Sequence, residues 1–206
     1  MVQGVSTSPR IIGRPAYGLS GTPTWAANAQ VVTFGADAER KTAHILDRLA
    51  TTATGPTVLH DVRIPIKGFT ANIDHIVVSG HTVWLIDSKA WKPGFVWTVG
   101  GVTRRGMARF PACDKQTVAM ARDAFTRHLT RRAPAASLAK PLVVVWPTSA
   151  GTVHTWAARF DGGQLVTPRQ LRHALRGATL PADHSIVRAL AGLVNGPRPV
   201  GATSSF

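Results

Sequence analysis

Between Asn72 and Ala90 the sequence reads NIDHIVVSGHTVWLIDSKA, two apolar runs on either side of Gly80-His81, each carrying an aspartate. Glycine at the first of two central positions suits a two-residue type II′ loop. Pairing Ser79 with Thr82 then carries Asp74 opposite Asp87, and directly opposed side chains have Cβ atoms about 4.5–5.5 Å apart. Period two places Lys89 on the Asp87 side, with Ile76, Val78, Val83 and Leu85 continuing that face toward the turn. Ile73, Val77, Trp84 and Ile86 occupy the other face. Strands apolar on both sides belong inside a sheet covered on both sides.

Two carboxylates held that close repel each other, and one retains a proton unless a cation sits between them. Hard cations such as Mg²⁺ and Mn²⁺ take carboxylate and carbonyl oxygens, so Asp74 and Asp87 are candidate metal ligands. Lys89 beside them could orient a water or stabilise charge on a phosphoryl oxygen. Asp, Asp and Lys at this spacing suit phosphodiester hydrolysis. The pattern alone also allows Asp74 to be a strand-end residue bonded to backbone and Asp87–Lys89 to be an ordinary ion pair on an edge strand. His75 points away from Asp74 and reads as packed or hydrogen-bonded.

The flanking sequence supplies the other elements. GADAERKTAHILDRLA, from Gly35 to Ala50, carries Ala38, Ile45 and Leu49 at helical spacing and sets Glu39 beside the apolar stripe. VLHDVRI precedes the hairpin as a strand. FVWTVGGVTRRG follows it, its Gly100-Gly101 pair marking a second turn or loop. DKQTVAMARDAFTRHL reads as a helix over Asp114–Leu129 with Asp114 as cap. PLVVVW reads as an inner strand. The order helix, three strands, helix, strand is an α/β arrangement within residues 34–148. Residues 1–33 read as a loose, flexible lead rich in Gly, Pro, Ser and Thr. Residues 149–206 form a C-terminal extension with one strand, VHTWAARF, and two helical patterns, TPRQLRHALRG and PADHSIVRALAGL.

The 24 Lys and Arg against 10 Asp and Glu give a net charge of +14. That field attracts a polyanion, nucleic acid first, with an anionic membrane or an acidic protein satisfying the same electrostatics. The single cysteine, Cys113, excludes an internal disulfide and a cysteine-built zinc site. The first residues lack a basic stretch followed by an apolar one, and no apolar run reaches about 18 residues. The expectation is a soluble cytoplasmic protein with no membrane partner.

GADAERKTAHILDRL, VRIPIKGFTANIDHIVVSG, VWLIDSKAW and FPACDKQ together resemble the nuclease-related domain family called NERD, a branch of the restriction-endonuclease-like superfamily with PD-(D/E)XK signatures. The resemblance spans residues 34–130. It implies an α/β fold with a restriction-endonuclease-like core (helix, three-stranded antiparallel unit, helix, strand), followed by the C-terminal extension. It implies a Mg²⁺-dependent phosphodiesterase, with Mn²⁺ as a substitute, acting on nucleic acid, DNA ahead of RNA. Glu39 matches the family's first-helix acid, Asp74 its first strand acid, Asp87 and Lys89 its acid-x-Lys pair, and Gln116 a glutamine opening the next helix. The implied metal set is Asp74, Asp87, the Ser88 carbonyl and Glu39. Three positions depart from the pattern: Asp87 stands where glutamate is usual, Ala36 where glycine is common, and Ile73 where the superfamily's proline lies. Glu39 is the only glutamate in the sequence.

Arg104, Arg105, Arg109 and Lys115 lie between the third strand and the second helix and are candidates for gripping a phosphate backbone. Arg169, Arg172, Arg176 and His173 could extend that track. Trp91 and Trp97 flank Phe95; covering the sheet edge is the first reading for them, stacking on unpaired bases the second. Because many enzymes of this superfamily dimerise to cut both strands, a homodimer is among the expectations. A non-catalytic nucleic-acid-binding module on the same fold, needing the arginines more than Glu39 or Lys89, is the alternative.

Overall fold

The computed structural model describes residues 10–17, 29–113 and 116–196. It is a mixed α/β structure with two sheets and four helices, compatible with a nuclease-like α/β fold.

The hairpin forms as its sequence requires. β3 (Asn72–Ser79) and β4 (Thr82–Trp91) pair antiparallel with Ser79 opposite Thr82 and His75 opposite Ile86. Gly80 has φ +53° whereas His81 is not at positive φ, the combination a II′ turn requires. β2 (Thr57–Arg63) lies antiparallel to β3 on its other side, and β1 (Ile11–Ile12) runs parallel to β2. Beyond β4 lie two parallel neighbours in turn, β9 (Leu142–Pro147) and β11 (Gln164–Val166), while β8 (Ser137–Leu138) pairs with the start of β4. The hairpin strands are therefore central in a seven-stranded sheet.

Ala38, Thr42, Leu46 and Ala50 recur every four residues along α1 (Ala29–Ala50), all buried, and seat the helix on one face of this sheet. There Leu46 packs with Val77, Ile86 and Val144, and with Leu171 of α3 (Pro168–Ala174). On the opposite face Ile76, Val78, Val83 and Leu85 meet Phe125 and Leu129 of α2 (Thr117–Arg132), together with Ile186 and Leu190 of α4 (His184–Ala191). Each fully buried side chain of this size contributes about 1.5–3 kcal/mol relative to exposure. Ile73 departs from its expected face and joins this second cluster beside Val62 and Ile64. Leu59 and Val62, three residues apart on β2, lie in the same cluster, so the alternation breaks at Asp61, whose φ is +52°, and Ile73 follows its partner Val62.

Within the lead, Arg10 donates to the carbonyls of Ala50 at 3.3 Å, Thr52 at 2.5 Å and Ala53 at 2.9 Å. A guanidinium there satisfies orphan carbonyls at the C-terminus of α1 and complements its dipole. Gly13, at φ +83°, passes so close to β2 that a Cβ would lie 2.5 Å from the His60 carbonyl oxygen. Asp114 and its expected cap fall outside the described residues; Gln116 holds the N-cap position of α2 without capping it.

The Gly100-Gly101 turn joins β5 (Gly94–Val99) to β6 (Val102–Arg105), which continues into β7 (Ala108–Arg109). These strands form a separate four-stranded sheet whose other edge is β10 (Val153–Ala157), parallel to β5. Its inner face packs Val96 and Val153 against Trp91, Val145 and Phe160. No helix among the described residues is long and apolar enough to cross a membrane.

Candidate functional site

β3 and β4 stop pairing after His75 and Ile86, one step short of the aspartates. At that point Asp74 Oδ2 accepts the backbone N–H of Ser88 at 2.5 Å, so a side chain takes over where the ladder ends. In an extended strand a residue's N–H and C=O point to the same side, which turns the Ser88 carbonyl toward the same opening. Asp87 and Ser88 are buried. Lys89 Nζ lies 2.5 Å from Asp87 Oδ2, a buried oxygen that this ammonium pairs with directly. A carboxylate has several lone-pair sites, so the Asp87 carboxylate can meet a second cation besides Lys89.

Glu39 reaches the same charges from α1. Its carboxyl is pushed up to about 7, first by burial and then by Asp61 and Asp87, against the opposing pull of Lys89 and a hydrogen bond from the Ala16 backbone. Burial, Asp87 and Glu39 likewise hold Asp74 well above the usual carboxylate range. Burial works against the charge of Lys89, but Asp87, Asp74 and Glu39 outweigh it and raise its pKa. One ammonium thus serves several crowded carboxylates, and the site favours protons or an added cation.

Asp61 is the acid that the sequence reading passed over. Asp61 lies between His60, which faces His75, and Val62, which faces Ile73, and so stands at the level of Asp74 across β2 and β3, although Asp61–Asp74 is not itself a paired rung. Asp61 is buried, and its Oδ1 accepts from Asn72 at 2.7 Å and Asn195 at 3.4 Å. The signal was present in VLHDVRI: a carboxylate inside a buried apolar strand, the same feature that singled out Asp74 and Asp87.

A second polar network lies behind the carboxylates, on the α1 side of the sheet. Asp47 Oδ1 is 2.9 Å from His60 Nε2, His60 Nδ1 is 2.8 Å from His75 Nδ1, and His75 Nε2 is 3.4 Å from Ser88 Oγ. Ser88 Oγ donates to Thr42 Oγ1 at 2.9 Å, which also accepts the Trp146 indole N–H at 2.9 Å. The His75 ring also hydrogen-bonds the Glu39 backbone, and burial together with His60 keeps its pKa well below the ordinary value. His75 is therefore a packed, hydrogen-bonded residue that holds both Glu39 and Ser88.

The remaining predicted residues separate. Gln116 is exposed at the start of α2. Arg104 stands opposite Trp97 and Arg109 on the outer face of the small sheet, whereas Arg105 stands opposite Val96 on the inner face, its guanidinium 5.1 Å from the Phe110 ring centroid. Lys115 lies outside the described residues. Arg169 and Arg172 line a cleft of about 580 Å³ with Arg40, Lys41, His44 and Trp146; His173 and Arg176 are exposed nearby in sequence. Trp91 is buried and Cys113 is buried.

Among the described residues no group of three or more His, Cys, Asp or Glu side chains is arranged to hold a metal ion. Fewer carboxylates, completed by a carbonyl and water, remain a donor set of the kind Mg²⁺ accepts, and the crowded carboxyls of Asp74 and Glu39, each raised by its acidic neighbours, supply anionic oxygens of that class. The donor chemistry fits a hard divalent cation. A family model described as nuclease-related domain matches residues 34–143. No curated protein and no solved structure matches the chain.

Proposed function

The chain belongs to the nuclease-related domain family, and from that premise we propose that it is a metal-dependent nuclease hydrolysing phosphodiester bonds, with DNA ahead of RNA as substrate. The observation carrying this reading is the crowding of Glu39, Asp74 and Asp87 around Lys89, whose Nζ lies 2.5 Å from Asp87 Oδ2, with Asp74 Oδ2 on the neighbouring Ser88 N–H.

Asp74, Asp87 and the Ser88 carbonyl would hold Mg²⁺, or Mn²⁺ in its place, with Glu39 joining directly or through water. A divalent cation supplies Lewis-acid polarisation of a phosphoryl oxygen and eases deprotonation of water. Lys89, fixed by Asp87, positions the attacking water and offsets charge that develops on the phosphoryl group. Asp74 fixes the Ser88 peptide, and the His60–His75 pair fixes the Ser88 side chain from behind. Gln116 would donate to a substrate phosphate from the start of α2. Arg104, Arg109, Arg169 and Arg172 would grip the phosphate backbone without reading sequence.

A non-catalytic nucleic-acid-binding module is the second reading, favoured by the lack of a three-carboxylate cage among the described residues. The deciding experiment is cleavage of labelled plasmid, linear duplex, single-stranded and branched DNA in Mg²⁺, Mn²⁺ and EDTA, by the native protein and by Asp87→Ala and Lys89→Ala. Metal-dependent cutting lost in both variants is expected. Intact DNA throughout, with a matched RNA panel also intact and binding preserved, would leave only the binding module.

A further inference from the structure

The outer face of the small sheet is built unlike the rest of the surface. Period two along β5 sets Phe95, Trp97 and Val99 on that face, Val96 and Thr98 facing inward. The register adds Arg104 opposite Trp97, Arg109 opposite Arg104, and His154 opposite Phe95. Trp156, two residues beyond His154, is 82% exposed, and its ring centroid is 5.1 Å from that of Phe95. The four strands GFVWTV, VTRR, AR and VHTWA contain no acidic residue.

Trp97 and Arg104 are held in place. The Trp97 indole N–H donates to the Gly106 carbonyl at 2.9 Å, and Arg104 Nη1 donates to the Met107 carbonyl at 3.0 Å, both tying the face to the β6–β7 turn. Beside it, Lys140, His154, Trp156 and Arg159, with Asp161 as the acidic member of the lining, border a cleft of about 650 Å³. An aromatic patch left open on a sheet marks an interaction surface, and the occupant has to satisfy both rings and cations.

We propose that this face is a stacking platform for unpaired bases, so that the protein engages single-stranded nucleic acid or the single-stranded part of a branched substrate. Bases stack on aromatic rings irrespective of sequence while basic residues track the phosphates. A duplex buries its base faces inside its own stack and offers this surface only phosphates. Lys89 fixes how near the platform is to the carboxylates: Phe95 follows it by six residues, which span at most about 22 Å of extended chain. The inference rests on the nucleic-acid reading above and narrows its substrate.

The test is fluorescence anisotropy in EDTA at fixed salt, using a labelled single-stranded DNA oligonucleotide, its duplex and the matching single-stranded RNA. The full chain is compared with Trp156→Ala, Trp156→Phe and Phe95→Ala. Single strands are expected to bind more tightly than duplex. Trp156→Ala should weaken single-strand binding roughly 5- to 150-fold, leave duplex binding unchanged, and be largely rescued in Trp156→Phe. Equal affinity for single strand and duplex, or single-strand binding unaffected by Trp156→Ala, would overturn the platform. Because EDTA removes cleavage from the readout, a protein that binds single strands but cuts nothing keeps the platform and loses the nuclease. Metal-dependent cutting with binding unchanged in Trp156→Ala does the reverse. The RNA arm separates the two sources of unpaired bases.

Discussion

The backbone N–H of Ser88 meets Asp74 Oδ2 at 2.5 Å, at the step where β3 and β4 cease to pair. Asp74 thus has two separable properties, an acceptor that closes the strand end and a charge that adds to a crowded site. Asp74→Asn keeps an acceptor of the same shape and removes the charge. The variant should melt at the same temperature as the native protein or higher, because burial and the neighbouring acids already work against ionisation of Asp74. Its metal-dependent cleavage should fall by roughly two orders of magnitude or more. Undiminished cleavage in a folded Asp74→Asn protein would reduce Asp74 to a strand-end residue.

Glu39 makes metal-free stability depend on pH. Its ordinary pKa of 4.5 rises to about 7 in the folded protein, so the native state holds a proton that the unfolded state has released between those values. Stability from this group is fully present below about 4.5 and is lost as pH rises through about 7. At pH 8 without metal, Glu39→Gln should be more stable than the native protein by on the order of 3 kcal/mol, and at pH 4 the two should nearly coincide. His75, whose pKa is lowered, contributes with the opposite sign below 6.5, but it is common to both proteins and cancels in the difference. Urea denaturation across pH measures this; parallel curves for the two proteins would mean that Glu39 is not held protonated.

The hairpin was the most legible part because each feature in it is local. A two-residue turn fixes the register, and the register fixes the faces, so Ile76, Val78, Val83 and Leu85 fall into one cluster as expected. Asp61 escaped because VLHDVRI is joined to β3 by a longer connection, and without a tight turn the sequence does not state which residue faces Asp74. The small sheet escaped for a related reason. Its strands alternate like any others, but their membership is decided by β10, whose His154 pairs with Phe95 across 59 residues of sequence. The same alternation, once the sheet is known, divides Arg104 from Arg105.

Asp61 should tune the site without entering it. After burial it is the largest influence raising Glu39, and it sits at φ +52°, a conformation asparagine tolerates. Asp61→Asn retains an oxygen for the Asn72 donor while removing the charge. The Glu39 pKa should fall, and the acid limb of the pH–cleavage profile should move to lower pH with the maximal rate little changed. An acid limb left in place would remove Asp61 from the electrostatics of Glu39.

Arg104 and Arg105 are neighbours in sequence with opposite assignments, and their variants should fail in different ways. Arg104 shares the outer face with Arg109 and Trp97. Arg104→Ala should weaken binding to nucleic acids of any sequence and reduce the slope of log affinity against log salt by about 1, the loss of one phosphate contact. Arg105 lies over Phe110 on the inner face, with its Cγ 3.5 Å from where a Cβ on Gly94 would be. Arg105→Ala should lower stability by about 0.5–2 kcal/mol through lost cation–π and stem packing, leaving the salt slope unchanged. Salt titrations of binding, paired with melting curves, separate the two effects. If Arg105→Ala changed the slope and Arg104→Ala did not, the aromatic outer face would not be where the nucleic acid lies.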